Sequence, residues 1–333
     1  MADGKVWCWG SNQFSAIGVT GQSCFSDPQL NDIPGETFEE VGVGSSHTCA
    51  LSTDGDVFCW GTNDAGQISA DGMPGGVEPE PVGLTSLEQA GQLSVGADYN
   101  CIVSNDGDVW CWGGNSVGQS APSVGMSESV APTKLLTTTL GAPLRVAAGV
   151  GETCVWNGGP QVQCFGYNDD IHGRDGDACV AGATSTFALA QNVQALSVGA
   201  QQACARFEDG THECWGSVPT GGCFSRTWCQ NATDGCVLGP SGGIAGVVSS
   251  TEGYWCTADQ GVGCYASPLP SSSAPQSKTS TDLGMESILL LSTSGSGYVC
   301  ASDSYKIACW GPQMADSVLC DVTANEIVSI TIP

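Results

Sequence analysis

The chain has 333 residues, with 8 basic against 34 acidic side chains and a formal net charge of −26. Nucleic-acid affinity comes mainly from Lys and Arg releasing counterions from phosphates, so this balance excludes a DNA- or RNA-binding role. The longest uninterrupted apolar run, Ile288 to Leu291, is far too short to span a bilayer, and membrane insertion is excluded with it.

From the first residues onward a short strand ends repeatedly in Cys-aromatic-Gly. Met1-Ala2-Asp3-Gly4 leads straight into the first copy, Cys8-Trp9-Gly10, with no signal peptide between them. The later copies are Cys59-Trp60-Gly61, Cys111-Trp112-Gly113, Cys164-Phe165-Gly166, Cys214-Trp215-Gly216, the degenerate Cys264-Tyr265-Ala266, and Cys309-Trp310-Gly311. Their spacing of roughly 50 residues is that of a repeat architecture built from one supersecondary unit. The 47 glycines and scarce charge fit many short strands joined by tight turns.

The second copy shows the local structure. Folding Cys49–Cys59 about Asp54 sets Cys49 opposite Cys59, Ala50 opposite Phe58 and Leu51 opposite Val57. The loop is then Thr53-Asp54-Gly55, whose last position needs the left-handed conformation that glycine adopts freely. Cys101 and Cys111 fold likewise about Asn105-Asp106-Gly107, and Cys204 and Cys214 about Glu208-Asp209-Gly210. Cys256 and Cys264 bracket a shorter hairpin, and Cys154 with Cys164 and Cys300 with Cys309 complete the set. Opposed residues of an antiparallel ladder come within disulfide range, so six cross-strand bridges are expected. With 19 cysteines, 3 histidines and no Cys-x-x-Cys knuckle, disulfides are favoured over zinc, and an oxidising, extracellular or cell-surface location follows.

Along Val57-Phe58-Cys59-Trp60, Val and Cys share one face while Phe and Trp share the other. Both faces are apolar, so both must be covered, and sheets stacked around an axis provide that cover. Upstream of each hairpin a further apolar strand runs to glycine, as in Glu40 to Gly44, Leu93 to Gly96, Val146 to Gly149 and Leu196 to Gly199. After the Cys-Trp-Gly units come Asn63 with Gly66-Gln67 and Asn115 with Gly118-Gln119. The Pro-, Ser- and Gly-rich stretches 68–88, 120–143 and 266–283 are read as loops projecting from one face.

This order of elements resembles the repeat of the regulator of chromosome condensation family, over essentially the whole chain. It is clearest in the second and third units and eroded in the fifth to seventh, where the Asn-Gly-Gln element is missing. The resemblance implies an all-β fold, a seven-bladed β-propeller forming a single domain over 1–333. Glu326 to Ile332 matches an upstream strand with no hairpin after it, and Asp3 to Gly10 matches the end of a repeat with no strand before it. The expected ring is therefore closed by the C-terminal strand joining the N-terminal blade, blade 1 being shared between 1–20 and 324–333. Cys8 is then unpaired, its partner strand lying upstream in a longer parent chain or in a neighbouring chain. Cys24 and Cys320 are a candidate disulfide between neighbouring blades, while the pairing of Cys179, Cys223, Cys229 and Cys236 stays open.

Chemistry-bearing patterns are few. His47, His172 and His212 fall in different blades with no nucleophile and acid assembled beside them. His47 stands before Thr48, where the family places a packing residue. The Asp-Gly-Asp sequences at 54–56 and 106–108 are read as hairpin turns rather than calcium loops, and no cofactor is expected. Phe224, Arg226 and Trp228, inside a cysteine-rich insertion, are the candidate protein-binding residues, because Trp and Arg dominate interface hot spots. Family members differ in activity. Nuclear members exchange nucleotide on a small GTPase and dock on chromatin, which suits neither this acidity nor these cysteines. The plant photoreceptor's Gly-Trp-Arg-His-Thr motif is replaced by Gly44-Ser-Ser-His-Thr48 and Gly96-Ala-Asp-Tyr-Asn100. The expectation is a non-catalytic extracellular scaffold that binds protein or self-assembles. A secreted inhibitor or adhesin, or an enzyme with a metal at the channel mouth, are the alternatives.

Overall fold

The computed structural model describes residues 4–69, 71–85, 87–135, 140–142, 144–168, 180–199, 202–209, 211–216, 248–251, 254–258, 261–266, 277–285, 290–293, 299–302, 306–310 and 328–331. Among them the chain forms antiparallel sheets in sequence order. The first pairs β1 (Val6–Ser11) with β2 (Cys24–Asn31). The second runs β3 (Phe38–Val43), β4 (His47–Ser52), β5 (Val57–Thr62), β6 (Val77–Gly83), and the third β7 (Ala90–Val95), β8 (Tyr99–Ser104), β9 (Val109–Asn115), β10 (Ser127–Lys134). The fourth is β11 (Arg145–Ala148), β12 (Glu152–Trp156), β13 (Gln161–Asn168), β14 (Val180–Ala188); the fifth is β15 (Val193–Val198), β16 (Gln202–Phe207), β17 (His212–Gly216). The sixth is β18 (Val248–Thr251), β19 (Tyr254–Ala258), β20 (Gly261–Ala266), β21 (Lys278–Thr279), and the seventh β22 (Leu290–Thr293), β23 (Val299–Ser302), β24 (Lys306–Trp310), β25 (Val328–Thr331). The first strands of successive sheets lie against one another from β3 through β7, β11, β15 and β18 to β22.

The hairpin register follows from the opposed cysteines. Cys49 faces Cys59, Ala50 faces Phe58 and Leu51 faces Val57. Ser52 N–H donates to Asp56 O at 2.8 Å, which leaves a three-residue loop with Gly55 at φ +89°. Gly107 takes φ +86° in the same turn of the third sheet. Disulfides join Cys49–Cys59, Cys101–Cys111 and Cys154–Cys164, each with Cα atoms 4.1 Å apart. Cys204 faces Cys214, Cys256 faces Cys264 and Cys300 faces Cys309 across their ladders. Cys24, Cys204 and Cys309 are disulfide-bonded as well.

The two faces of each hairpin serve different neighbours. Val57, Cys59, Cys49 and Leu51 cluster with Leu93, Ile102 and Trp112 of the next sheet. Trp60 and Phe58, on the other face, cluster with Val6 and Cys8 of the sheet before. Cys59-Trp60 and Cys111-Trp112 each contribute in this way to two successive interfaces, and Trp60 and Trp112 are wholly buried. Burying a tryptophan of 150–250 Å² is worth about 4–6 kcal/mol in transfer terms, against at most about 3 kcal/mol for a bridge closing so short a loop. Packing therefore outweighs the sulfur clamp.

Two expectations are corrected. The stretches 68–88, 120–143 and 266–283 are not simply projecting loops: they carry β6, β10 and β21, the fourth strands of their sheets. Pro79, Pro81 and Pro132 disguise them, since proline removes a ladder donor and is confined to edge strands, which these are. The C-terminal strand also differs: β25 does not join the N-terminal blade but pairs with β24, Ile307 facing Ile330 and Cys309 facing Val328. The open edge of its own preceding hairpin accepts the strand, and among the described residues the first sheet holds β1 and β2 rather than being shared between 1–20 and 324–333.

Candidate functional site

The residues singled out for binding, Phe224, Arg226 and Trp228, lie outside the described residues, as do Cys179, Cys223, Cys229, Cys236 and Cys320. What the structure does bring together is a set of loops and inner strands that lock each of the first four sheets to the next.

After the Trp-Gly of each of the first three sheets a buried asparagine shapes the loop from inside. Asn12 Oδ1 accepts from Ile17 N at 3.1 Å, Asn63 Oδ1 from Ile68 N at 2.9 Å, and Asn115 Oδ1 from Ser120 N at 3.1 Å and Ala121 N at 2.9 Å. Their amide groups donate to the far side of the loop, at Val19 O, Met73 O and Gly125 O. The loop so held offers one main-chain carbonyl to the following sheet. Ala16 O accepts from Trp60 Nε1 at 2.9 Å and Thr48 Oγ1 at 2.7 Å. Gln67 O accepts from Trp112 Nε1 at 2.9 Å and Asn100 Nδ2 at 2.7 Å, and Gln119 O from Thr153 Oγ1 at 2.8 Å. Buried donors and acceptors must be paired, and here the pairing crosses from sheet to sheet.

His47 belongs to this lock. Its Nε2 donates to Asn100 Oδ1 at 2.8 Å within a fully buried site, and burial pushes the imidazole down to about 4. A neutral, enclosed ring of this kind packs and positions. Tyr99, its equivalent in the next sheet, donates to Glu152 O at 2.5 Å and accepts from Gly149 N at 3.1 Å, and burial raises its phenol.

At the opposite end, side chains of the first strands reach across to the next strand's backbone. Glu40 Oε2 accepts from Leu93 N at 2.6 Å. Gln92 bonds both groups of Val146, donating to its carbonyl at 2.9 Å and accepting from its N–H at 3.2 Å. Arg145 donates to Gln194 O at 2.6 Å. These residues, with Asn105 and Trp156, line a cleft of about 680 Å³ beside the hairpin turns. Burial raises the Glu40 carboxyl, against the pull of the Leu93 hydrogen bond. The one sequence signal for this set is weak: a polar residue recurs four places before the closing glycine, as Glu40, Gln92 and Arg145.

Asp108, within one of the Asp-Gly-Asp turns, is paired with Lys134. Among the described residues no three His, Cys, Asp or Glu side chains gather as metal ligands. Among the exposed large apolar side chains are Phe14, Met73, Val124 and Met126, four residues of the loops after Trp-Gly, at 49%, 63%, 62% and 61%. All four sit in the loops of the first three sheets, on the end away from the hairpin turns.

Profiles of the regulator of chromosome condensation (RCC1) repeat match residues 3–51, 38–67 and 92–119. The matched units, within the first three sheets, are RCC1 repeats. Among curated relatives, the human probable E3 ubiquitin-protein ligase HERC3 is 28% identical over 150 residues, covering 44% of this chain and 14% of that protein. The Arabidopsis thaliana ultraviolet-B receptor UVR8 is 26% identical over 110 residues, covering 33% of this chain and 25% of the receptor. The chain thus spans a quarter or less of these relatives. Among solved structures, human WBSCR16 superposes with a TM-score of 0.78 at 15% identity, over 99% of this chain and 95% of that one. Yeast RCC1 (Prp20), solved bound to Kap60, gives 0.72 at 15% identity over 96% and 82%. These likenesses establish an all-β fold of RCC1-propeller type. In the RCC1 repeats here, the Asn-Gly-Gln element is the device that presents a carbonyl to the next sheet.

Proposed function

We propose that this chain is a closed, seven-bladed RCC1 propeller, one domain over 1–333, acting outside the cell as a non-catalytic protein-binding scaffold. The observation that carries the reading is the row of exposed apolar residues, Phe14, Met73, Val124 and Met126, on successive loops of sheets clamped by disulfides. Apolar groups gathered at one end of a rigid scaffold are what a protein interface uses, and pre-ordered loops lose little entropy on binding. Disulfides in three successive hairpins support an oxidising compartment, and the −26 net charge supports a soluble particle with a basic or neutral partner. The solved yeast RCC1 binds proteins, Kap60 in one structure, with Gsp1p and histones named for the other. Protein partners are therefore the class this fold supports best.

The test places a photo-crosslinking residue at Met73 or Val124 and, as a control, at Asn105 beside the hairpin turns, on protein applied to intact source cells. Crosslinks to one protein from the loop positions alone support the reading. Crosslinks between copies select self-assembly, and equal labelling from both ends contradicts the loop face. For the ring, small-angle scattering should give a radius of gyration of about 20 Å, as expected for a compact chain of this length. A much larger value means an open superhelix.

A further inference from the structure

The interface between the first two sheets is built like the next one, with half of it missing. In the cluster joining the second and third sheets, Cys49, Leu51, Val57 and Cys59 meet Leu93, Val95, Ile102 and Trp112. In the cluster joining the first and second, Val6 and Cys8 meet Phe38, Ala50 and Trp60. Aligning Cys8-Trp9-Gly10 with Cys59-Trp60-Gly61 makes Val6 and Cys8 the equivalents of Val57 and Cys59, and aligning Gly44 with Gly96 makes Val41 and Val43 those of Leu93 and Val95. Counterparts of Cys49 and Leu51 are absent from the first cluster, and so are Val41 and Val43.

Exposure follows this gap. Val41 and Val43 are 44% and 68% exposed, whereas Leu93 is 9% and Val146, in the same place one sheet further on, is 1%. Cys8 is the free cysteine among the described residues, although every later hairpin carries its cysteine opposite another. The turn is nevertheless in place. Gly4 has φ +71°, close to Gly55, and its carbonyl accepts from Phe38 N at 2.8 Å as Gly55 O accepts from Ala90 N at 2.9 Å. Among the described residues β1 has one strand neighbour, β2.

We propose that the seam between β1 and β3 receives a two-stranded segment of this same repeat type, entering at the Gly4 turn, with a cysteine on its second strand bonded to Cys8. Its inner strand covers Val41 and Val43, continuing the contact that β3 makes with β7. Its second strand completes the β1 ladder by strand addition. The bond forms when the two thiols pass two electrons and release two protons to a disulfide oxidant, of small-molecule or oxidoreductase type. This rests on the propeller reading, which supplies the missing place in the stack.

The test offers the intact protein a synthetic peptide of Glu40–Ser52, its Cys49 activated as a mixed disulfide with thionitrobenzoate. The Cys8 thiolate attacks the peptide sulfur, the old S–S bond breaks, and thionitrobenzoate leaves, so release is read by absorbance. Binding raises local concentration, so capture at Cys8 should exceed that of a scrambled peptide by about tenfold or more. Amides of Val6–Ser11 should also exchange more slowly, and Val43→Asp should weaken capture without unfolding an exposed site. With Cys8→Ser the slowing should persist but reverse on dilution. Equal labelling by the scrambled peptide, no amide protection, or a Cys8-linked dimer occupying the seam overturns the proposal. Failure of capture with compact scattering rejects the seam alone. An open superhelix by scattering rejects the ring whatever the peptide does.

Discussion

The indole N–H of Trp112 donates to the main-chain carbonyl of Gln67 at 2.9 Å, tying the third strand of one sheet to the loop that closes the sheet before it. The same carbonyl takes the Asn100 amide at 2.7 Å. Trp112→Phe keeps much of the apolar volume and removes one of two donors, so the expected loss is about 1–2 kcal/mol. Phe165, where the next sheet carries a phenylalanine naturally, marks the substitution as sterically tolerable. Urea midpoints of wild type and variant measure the loss.

Asn115 is a more severe site. It accepts from Ser120 N and Ala121 N and donates to Gly125 O, all inside the loop that presents Gln119 O. Asn115→Ala leaves those buried groups without partners, and a loss of about 2–4 kcal/mol is expected from two or three such orphans. Asn115→Asp keeps the acceptor role and loses the donor, so it should fall between, provided denaturation is followed near neutral pH.

Removing a clamp tests the balance between packing and bridge. Cys101→Ala with Cys111→Ala should cost about 2–3 kcal/mol by the loop-entropy estimate and less if the hairpin stays ordered in the denatured chain. The far-ultraviolet spectrum should be unchanged, because Trp112 and its neighbours still fill the interface. Collapse of the fold in the doubly substituted protein would show that the bridge, not packing, holds the stack.

Acid should act through His47. Its folded value, about 4, lies below the unfolded 6.5, so the neutral ring's contribution is complete above about pH 6.5. It is lost as pH falls through the range between about 6.5 and 4, because the unfolded chain takes the proton first. The raised Glu40 and Asp98 carboxyls work the other way, favouring the fold as they protonate at lower pH. His47→Gln should flatten the stability profile between about pH 6.5 and 4, read from denaturant midpoints at closely spaced pH values. An unchanged slope would remove His47 from the account.

The hairpins were legible in advance because two constraints coincide in one short stretch. Opposed cysteines set which residues face each other, and a glycine that must be left-handed sets where the chain turns, so Leu51 could only face Val57. The edge strands were hidden for the opposite reason. Val77 to Gly83 carries Pro79, Pro81, Glu78 and Glu80, and its pairing with β5 shifts register between Cys59 and Gly61, so neither composition nor alternation marks it as a strand. The polar inner residues were missed because their partners are remote along the chain. Gln92 meets Val146 more than one whole repeat away.

Local chemistry thus settles what each unit is: a hairpin's turn, its register and the face on which cysteine and tryptophan stand depend on neighbours within about a dozen residues. How the units are joined is a different kind of information. The carbonyls of Ala16, Gln67 and Gln119 become latches only when a folded loop aims them at the next sheet, and the C-terminal strand could find its place on β24 only once that edge existed. A main-chain carbonyl has no side-chain signature, and an apolar strand reads the same wherever it docks. Those choices belong to packing in three dimensions.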